Sequence, residues 1–321
     1  MVRRIFLAAC AALLFGCAST VHAQKSNVAP QGNTATRQRS SDSGNSELDL
    51  LSELIIYTNR IERNNNDIDS YNQRGIIYAE LKRHAEAYND FTTAIELAPD
   101  RAEAYGYRGV LNSLIGNRDE AMVDYDRAIK NDATYYEAYS GRGTLHADFG
   151  EYDEAVADYM KAISLNPSFP NVYYNLGSLY HKLGEYTEAL GYLDKAISLK
   201  SDYADAYIQR GEVYYDLKKY GDAFVNYHRA IQIDPANPEP YVGRANVNHM
   251  MEKYSDALLD YSKAIELNAS HINAHRNRAV VYYRLGRYEE ALADFNVILA
   301  IDPNDANALS GKQTLYQKLR N

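Results

Sequence analysis

The chain of 321 residues contains almost no cysteine. The only two, Cys10 and Cys17, both lie near its start. The rest of the chain therefore forms neither a disulfide nor a thiolate metal site. Tryptophan is absent, although 30 tyrosines and 7 phenylalanines are present. Apart from residues 5–18, no segment approaches the roughly 20 apolar residues of a membrane-spanning helix, which excludes a multi-span membrane protein.

Basic residues are the minority, and the formal net charge is −9. Residues 1–41 contain five basic side chains and no acidic one, so the remaining chain carries −14. An acidic body of this kind repels phosphate backbones, and we therefore expect no general nucleic-acid partner.

Residues 1–23 have the three parts of an export signal. Two arginines stand near the start, residues 5–18 form an apolar run, and small side chains precede a cleavage point after Ala23. The stretch LFGC resembles a bacterial lipobox and makes Cys17 a candidate lipidation site. Two outcomes stay open. Cleavage after Ala23 gives an exported, periplasmic protein, and lipidation of Cys17 gives one anchored to a membrane of the cell envelope through that lipid alone.

Residues 24–46 are polar and rich in Ser, Asn and Gln. They contain too few large apolar side chains to form a core, and we predict a flexible, disordered linker.

A sequence repeat occupies most of the remaining chain, and its copies begin 34 positions apart. One copy reads AYIQRGEVYYDLKKYGDAFVNYHRAIQIDP from Ala206. Apolar residues fall at helical spacing within each copy, which predicts two amphipathic helices that must stack on the next pair. Three residue types recur at this period and are assigned structural roles: Tyr71, Tyr105, Tyr139, Tyr173 and Tyr207; Gly75, Gly109, Gly143, Gly177 and Gly211; Ala87, Ala121, Ala155, Ala189 and Ala223.

This pattern resembles the tetratricopeptide repeat (TPR) family over seven units, residues 68–305. The resemblance implies an all-α fold, a right-handed solenoid of seven helix-turn-helix repeats. Amphipathic helices at 47–63 and 306–321 are expected to cap its two ends. Their apolar side chains would cover the terminal faces, and these include Leu48, Leu51, Ile55, Leu309, Tyr316 and Leu319.

The chain departs from the family pattern at two positions. Tyr replaces the usual Trp in the first helix, and Arg replaces the usual Leu just before the glycine. An Asp follows that Arg at a fixed spacing in most units, as Asp90 follows Arg74, whereas unit four has Leu176 and Tyr192 instead. We predict a partly buried Arg–Asp pair between the two helices of a unit.

In the TPR family the first helices line a concave groove that holds peptides. Tyrosine suits such surfaces because it offers a large area and one polar tip. The alternative is that a long solenoid exposes these side chains without a ligand. By position, the resemblance gives six candidate partner-binding residues: Tyr174, His181, Tyr215, His249, Arg276 and Tyr283.

Motifs for catalysis are missing, and we predict no catalytic residue and no bound cofactor. His271 and His275 are spaced as metal ligands on a helix are, but no third ligand accompanies them. We interpret both as structural and predict no metal site.

The sequence favours a non-catalytic protein-interaction scaffold or adaptor of the cell envelope. Its partners would be protein or peptide segments, whose identity the sequence does not give. Two alternatives remain: an accessory subunit or regulator of an envelope enzyme or a secretion or assembly machine, and a self-associating solenoid without a dedicated ligand. The oligomeric state stays open.

Overall fold

The computed structural model describes residues 43–320, with side chains from Glu47 to Arg320. These residues form helices and no strand, so the fold class is all-α, of the stacked-hairpin type found in TPR solenoids. Within this range no helix is long and apolar enough to cross a membrane. The predicted signal peptide, the lipidation site at Cys17 and most of the predicted linker lie outside the described residues.

Sixteen helices make up the described part of the chain. Each repeat is a hairpin of a first and a second helix. The bounds are α1 Ser43–Arg63, α2 Ile68–Glu80, α3 His84–Leu97, α4 Ala102–Ile115, α5 Arg118–Asn131, α6 Tyr136–Phe149, α7 Tyr152–Leu165, α8 Pro170–Leu183, α9 Tyr186–Leu199, α10 Ala204–Asp216, α11 Tyr220–Ile233, α12 Glu239–Met250, α13 Tyr254–Leu267, α14 Ile272–Arg284, α15 Tyr288–Ile301 and α16 Ala306–Arg320.

The chain divides into two compact units, Met1–Asn175 and Leu176–Asn321. The described part of the first unit holds α1, three hairpins (α2–α3, α4–α5, α6–α7) and the start of α8. The second holds the rest of α8, α9, three further hairpins and α16. In both units the recurring alanines of the second helices, such as Ala87 and Ala223, are fully buried.

The turn inside each hairpin contains one residue in the left-handed region. Four hairpins use glycine there, for example Gly116 with φ +89°. The other three use Lys82, Lys218 and Glu252, with φ near +60°. Glycine reaches this conformation without steric cost, and the other residues adopt it where the flanking helices fix the turn.

In two hairpins a tyrosine of the second helix inserts between two helix backbones. The ring of Tyr227 lies so close to Gly211 that a Cβ there would be 2.9 Å from the ring, and a Cβ on Gly243 of the next hairpin would be 2.4 Å from it. Tyr125 sits in the same way between Gly109 and Gly141. The glycine of the first helix is therefore required because a ring fills the space that its side chain would occupy.

The recurring tyrosine of the first helix stands where the family usually has tryptophan, and its hydroxyl bonds to a backbone carbonyl. The hydroxyl of Tyr173 donates to the carbonyl oxygen of Pro167 at 3.0 Å, and Tyr241 donates to that of Pro235 at 3.2 Å. His275 takes this position in the last hairpin, where its Nε2 lies 3.1 Å from the carbonyl oxygen of Ala269 and its Nδ1 2.7 Å from Asp294 Oδ1. The histidine thus reaches the carbonyl that a tyrosine reaches elsewhere.

The predicted pairing of Arg with Asp is confirmed. Arg74 contacts Asp90 through two hydrogen bonds of 2.7 and 2.8 Å, and equivalent bidentate pairs form in four further hairpins. Arg210 instead donates to Asn226 Oδ1 at 2.8 Å.

From the second hairpin onward these arginines also reach the preceding hairpin, which the sequence interpretation missed. The Nη1 of Arg142 donates to Asp126 at 2.7 Å, and that of Arg278 donates to Ser262 at 2.9 Å. Each such arginine therefore links two hairpins as well as two helices.

The two terminal helices pack at the two ends of the described array, α1 against α2 and α16 against α15. α1 begins at Ser43, inside the predicted linker. Ile61 and Leu315 are buried, whereas the six side chains named above as covering the ends are exposed. The exposed ones are Leu48 (63%), Leu51 (39%), Ile55 (62%), Leu309 (49%), Tyr316 (47%) and Leu319 (39%). Each terminal helix therefore covers an end of the array while part of its own apolar surface stays exposed.

Candidate functional site

Four rings recur once per repeat near the ends of the first helices in the second unit. They are His181 on α8, Tyr215 on α10, His249 on α12 and Tyr283 on α14, and we call them the aromatic row. Tyr283 is 37% exposed, and the other three are half-buried.

Each member of the aromatic row contacts a tyrosine that begins the second helix of its hairpin. The ring centroids are 5.6 to 5.9 Å apart, in tilted or edge-on geometries that are favourable between aromatic rings. The pairs are His181 with Tyr186, Tyr215 with Tyr220, His249 with Tyr254, and Tyr283 with Tyr288. Because each turn has the same left-handed geometry, the row and its supporting tyrosines repeat with the hairpins.

Polar groups flank the row and join neighbouring hairpins. Nε2 of His181 lies 2.8 Å from Asp216 Oδ2, and its Nδ1 lies 2.6 Å from Nε2 of Gln209. Both partners belong to α10. These contacts fix the His181 ring, so it is presented without the rotational freedom of an isolated surface side chain.

Burial shifts the ionisation of two groups at the row. The pKa of the Glu212 carboxyl is raised because it is desolvated, although His181 opposes the shift. The pKa of His249 is lowered, first by desolvation and then by the positive charge of Arg284. His249 is therefore neutral at pH 7 and offers an aromatic face together with one donor and one acceptor.

Arg276 was predicted to line the groove, and the structure places it differently. It is half-buried, and its Nη2 donates to Asp305 Oδ2 at 2.7 Å while its Nη1 donates to Asn273. It joins α14 to the residue just before α16, so its guanidinium is already engaged within the protein.

Tyr174, which belongs to the first unit, is buried at 4% exposure and cannot line an open groove. The reason is visible at the equivalent position Gly106, where an added Cβ would be 2.5 Å from the ring of Tyr135. Tyr135 precedes the first helix of the next hairpin. At Gly106 this repeat position thus lies beneath the following hairpin, whereas the resemblance to the family had placed Tyr174 in the groove.

The first unit carries no rings at the position of the aromatic row. Its three repeats have Ala79, Ser113 and Ala147 there. The sequence interpretation overlooked Gln209 and Asp216, although both follow from the repeat register as neighbours of the row in the adjacent helix.

The row offers contact chemistry: apolar faces, a phenol hydroxyl, a neutral imidazole and nearby carboxylates. Within the part of the chain that the structure describes, no three His, Cys, Asp or Glu side chains are grouped as a metal ion would require. His271 instead caps α14, where its Nδ1 accepts from the Ala274 backbone N–H.

Family models match more than half of the chain. A model described as "TPR repeat" matches residues 145–184, 177–218 and 211–252. Two models described as "Tetratricopeptide repeat" match residues 251–306 and 68–101.

Among curated proteins, a segment of 47 residues is 49% identical to a UDP-N-acetylglucosamine–peptide N-acetylglucosaminyltransferase of Giardia intestinalis. The match covers 15% of this chain and 3% of that enzyme. The chain therefore spans only a small fraction of the curated relative that it matches.

Solved structures resemble the chain over greater lengths. The APC/C hetero-tetramer Cut9–Hcn1 is similar with a TM-score of 0.69 and 19% identity over 85% of this chain and 54% of that one. Yeast Tom70 gives 0.61 and 18%, covering 91% and 68%. Pseudomonas aeruginosa pilF gives 0.59 and 17%, covering 66% and 97%. At these identities the likeness shows the fold alone.

TPR proteins bind protein or peptide partners, and the repeats make this chain a protein-interaction scaffold. By its sequence period, its hairpins and these matches, the chain belongs to the tetratricopeptide repeat family.

Proposed function

We propose that the aromatic row of the second unit binds an extended segment of a partner protein, and that the chain acts as a non-catalytic adaptor. The observation that carries this proposal is the recurrence of four part-exposed rings, one in each hairpin, each supported by a tyrosine. Such rings lose little conformational freedom on binding because their contacts already hold them.

The dimensions suit an extended chain. Helices that pack together lie about 8 to 10 Å apart, and an extended peptide rises about 3.3 Å per residue. One step of the row therefore matches about three peptide residues, and the four rings match a segment of about ten residues. The phenol and imidazole groups can bond to its backbone, while the ring faces contact its side chains.

Peptides selected from a random library of segments of about 12 residues provide the test. Their affinity for the full chain is measured by titration calorimetry. Changing Tyr215→Ala and His249→Ala together should weaken binding at least tenfold, because buried aromatic anchors carry most of the energy of such contacts.

The matched control is Tyr88→Ala with His228→Ala, which removes one tyrosine and one histidine from second helices. It should leave peptide affinity unchanged. Circular dichroism checks both doubles for helix content. Equal affinities for both doubles would contradict the proposal, and a loss of helicity in the first would make those residues part of the packing.

We further propose that the protein works in a bacterial cell envelope. The support is the sequence of residues 1–23, with its basic start, apolar run and cleavage point. The intact mass of the protein from its native host, with cell fractionation, tests this. A soluble chain starting at Gln24 indicates a free periplasmic adaptor, and a diacylated Cys17 in the membrane fraction indicates a tethered one. An uncleaved chain in the cytoplasmic fraction would refute the proposal.

A further inference from the structure

The last described helix has the register of a first helix. α14 begins at Ile272, and α16 begins one repeat period later at Ala306. Three residues of α16 therefore stand at positions that the second helix covers in a complete hairpin. Leu309 corresponds to His275 of α14, Lys312 corresponds to Arg278, and Tyr316 corresponds to Tyr282.

In α14 the residues at these three positions contact α15 or the arginine just before it. His275 and Arg278 both bond to Asp294 at 2.7 Å, and Tyr282 lies under the guanidinium of Arg287. Along the described chain nothing takes this place over α16. Leu309 is 49% exposed and Tyr316 is 47% exposed, and together with Lys312, Gln313, Gln317 and Arg320 they line a shallow surface depression.

The first described helix has the opposite register. α1 ends at Arg63, one repeat period before the end of α3 at Leu97, so its C-terminal part, 50–63, matches a second helix. Ile56 stands where Asp90 stands in α3, on the side that faces the first helix of the same hairpin. Asp90 is 5% exposed, whereas Ile56 is 51% exposed.

The acidic side chains on the open face of α1 lie at one end of that face. Asp49 and Glu53 lie in the N-terminal half of α1 on the side that includes Ile56, Arg60 and Arg63 follow on the same side, and all four are exposed. Among the described residues of α16 the charged side chains are Lys312, Lys318 and Arg320, all basic. In a hairpin the C-terminal half of the first helix lies beside the N-terminal half of the second, so Arg320 of α16 would come beside Asp49 and Glu53 of α1. Both helices expose the apolar face with which such helices form a hairpin.

We infer that copies of this chain associate head to tail, with α16 of one copy docking against α1 of the next to form a hairpin between molecules. The occupant of each open face is a second copy of the same chain. Because the two faces differ, the contact is heterologous and extends into longer chains unless it closes into a ring.

The contact is weaker than a hairpin within the chain. Gln313 takes the position of the recurring glycine, and Glu53 takes that of the recurring alanine. These larger side chains keep the two helix backbones farther apart than Gly211 and Ala223 do. We therefore expect association that depends on concentration and weakens with salt as the charges are screened.

Sedimentation velocity of the full chain from about 1 µM to about 1 mM tests the inference. The average mass should rise with concentration beyond that of a dimer. Ile56→Arg alone and Tyr316→Glu alone should each give monomers. The control Val225→Arg changes an aliphatic side chain that is 65% exposed on α11 and should associate like the wild type.

Mixing the two variants distinguishes this contact from other forms of association. Ile56→Arg keeps an intact α16 and Tyr316→Glu keeps an intact α1, so a mixture should form one-to-one dimers and nothing longer. Glu53→Lys with Lys312→Glu should restore association that either change alone weakens.

Three results would overturn the inference. A wild type that stays monomeric at about 1 mM would exclude the contact, whether the faces are bare or covered by the chain's own residues. Variants that associate like the wild type would place the contact elsewhere, for example in residues 1–42. Self-association by one variant alone would indicate a symmetric interface.

Discussion

Replacing Gly243 by alanine should destabilise the second unit, although alanine is the better helix former. The new Cβ would lie 2.4 Å from Cε1 of Tyr227, whereas carbon atoms in contact are about 3.5 to 4.0 Å apart. The ring would have to retreat by roughly 1 Å. It has no room to do so, because it is 4% exposed and Gly211 lies against it from its own hairpin.

The magnitude follows from two opposing effects. Overpacking of this kind costs about 1 to 3 kcal/mol. Alanine offsets about 1 kcal/mol of that cost through its helix propensity. We therefore expect a net loss of up to about 2 kcal/mol in the free energy of unfolding.

Urea denaturation of the full chain measures this loss, and hydrogen exchange locates it in α11 and α12. Gly191→Ala is the matched control, because Gly191 also lies within a helix but a Cβ there meets nothing within 4 Å. It should stabilise by up to about 1 kcal/mol. If both changes move the transition in the same direction, the argument from ring packing is refuted.

A second background strengthens this test. The fourth repeat carries Leu193 at the position of Tyr227, so Tyr227→Leu introduces a smaller side chain that the fold already uses there. In that background Gly243→Ala should cost less, with a coupling of roughly 1 kcal/mol between the two sites. Additive effects would mean that the alanine does not meet the ring.

Two further predictions concern charged groups. Arg244→Leu should lower the free energy of unfolding by about 3 kcal/mol, because it leaves Asp260 buried without its partner. The fourth repeat has Leu176 and Tyr192 at these two positions, so the double change Arg244→Leu with Asp260→Tyr should lower it less. Equal losses in thermal denaturation would contradict a buried pair. Glu212→Gln should raise the unfolding midpoint at pH 7, because a carboxyl whose pKa is raised on folding is destabilised when it is charged, and this gain should fade as the pH falls to about 4. A gain that is the same at both pH values would show that burial of the charge is not its cause.

Local chemistry made several features predictable. The Arg–Asp pair could be read from two residue types that recur together at a fixed spacing in five of the seven repeats, because both partners lie within one hairpin. The positions of Tyr215 and His249 followed from counting along the repeat. The burial of the repeat position that Gly106 and Tyr174 share could not be predicted by such counting. At Gly106 this burial depends on Tyr135, the residue that precedes the next hairpin. The engagement of Arg276 by Asp305 was equally out of reach, because that partner comes from beyond the hairpin.

By itself, the sequence determined the all-α fold, the two helices of each repeat and the residues that pack between them. It could do so because a fixed period and helical spacing constrain the contacts within a hairpin. Only the tertiary structure decided which faces are covered. Helical periodicity gives the angle of a side chain around its own axis, but it does not say which neighbour lies there. That is why Leu309 and Tyr316 are exposed at α16, and why His181 meets Asp216 from the next hairpin.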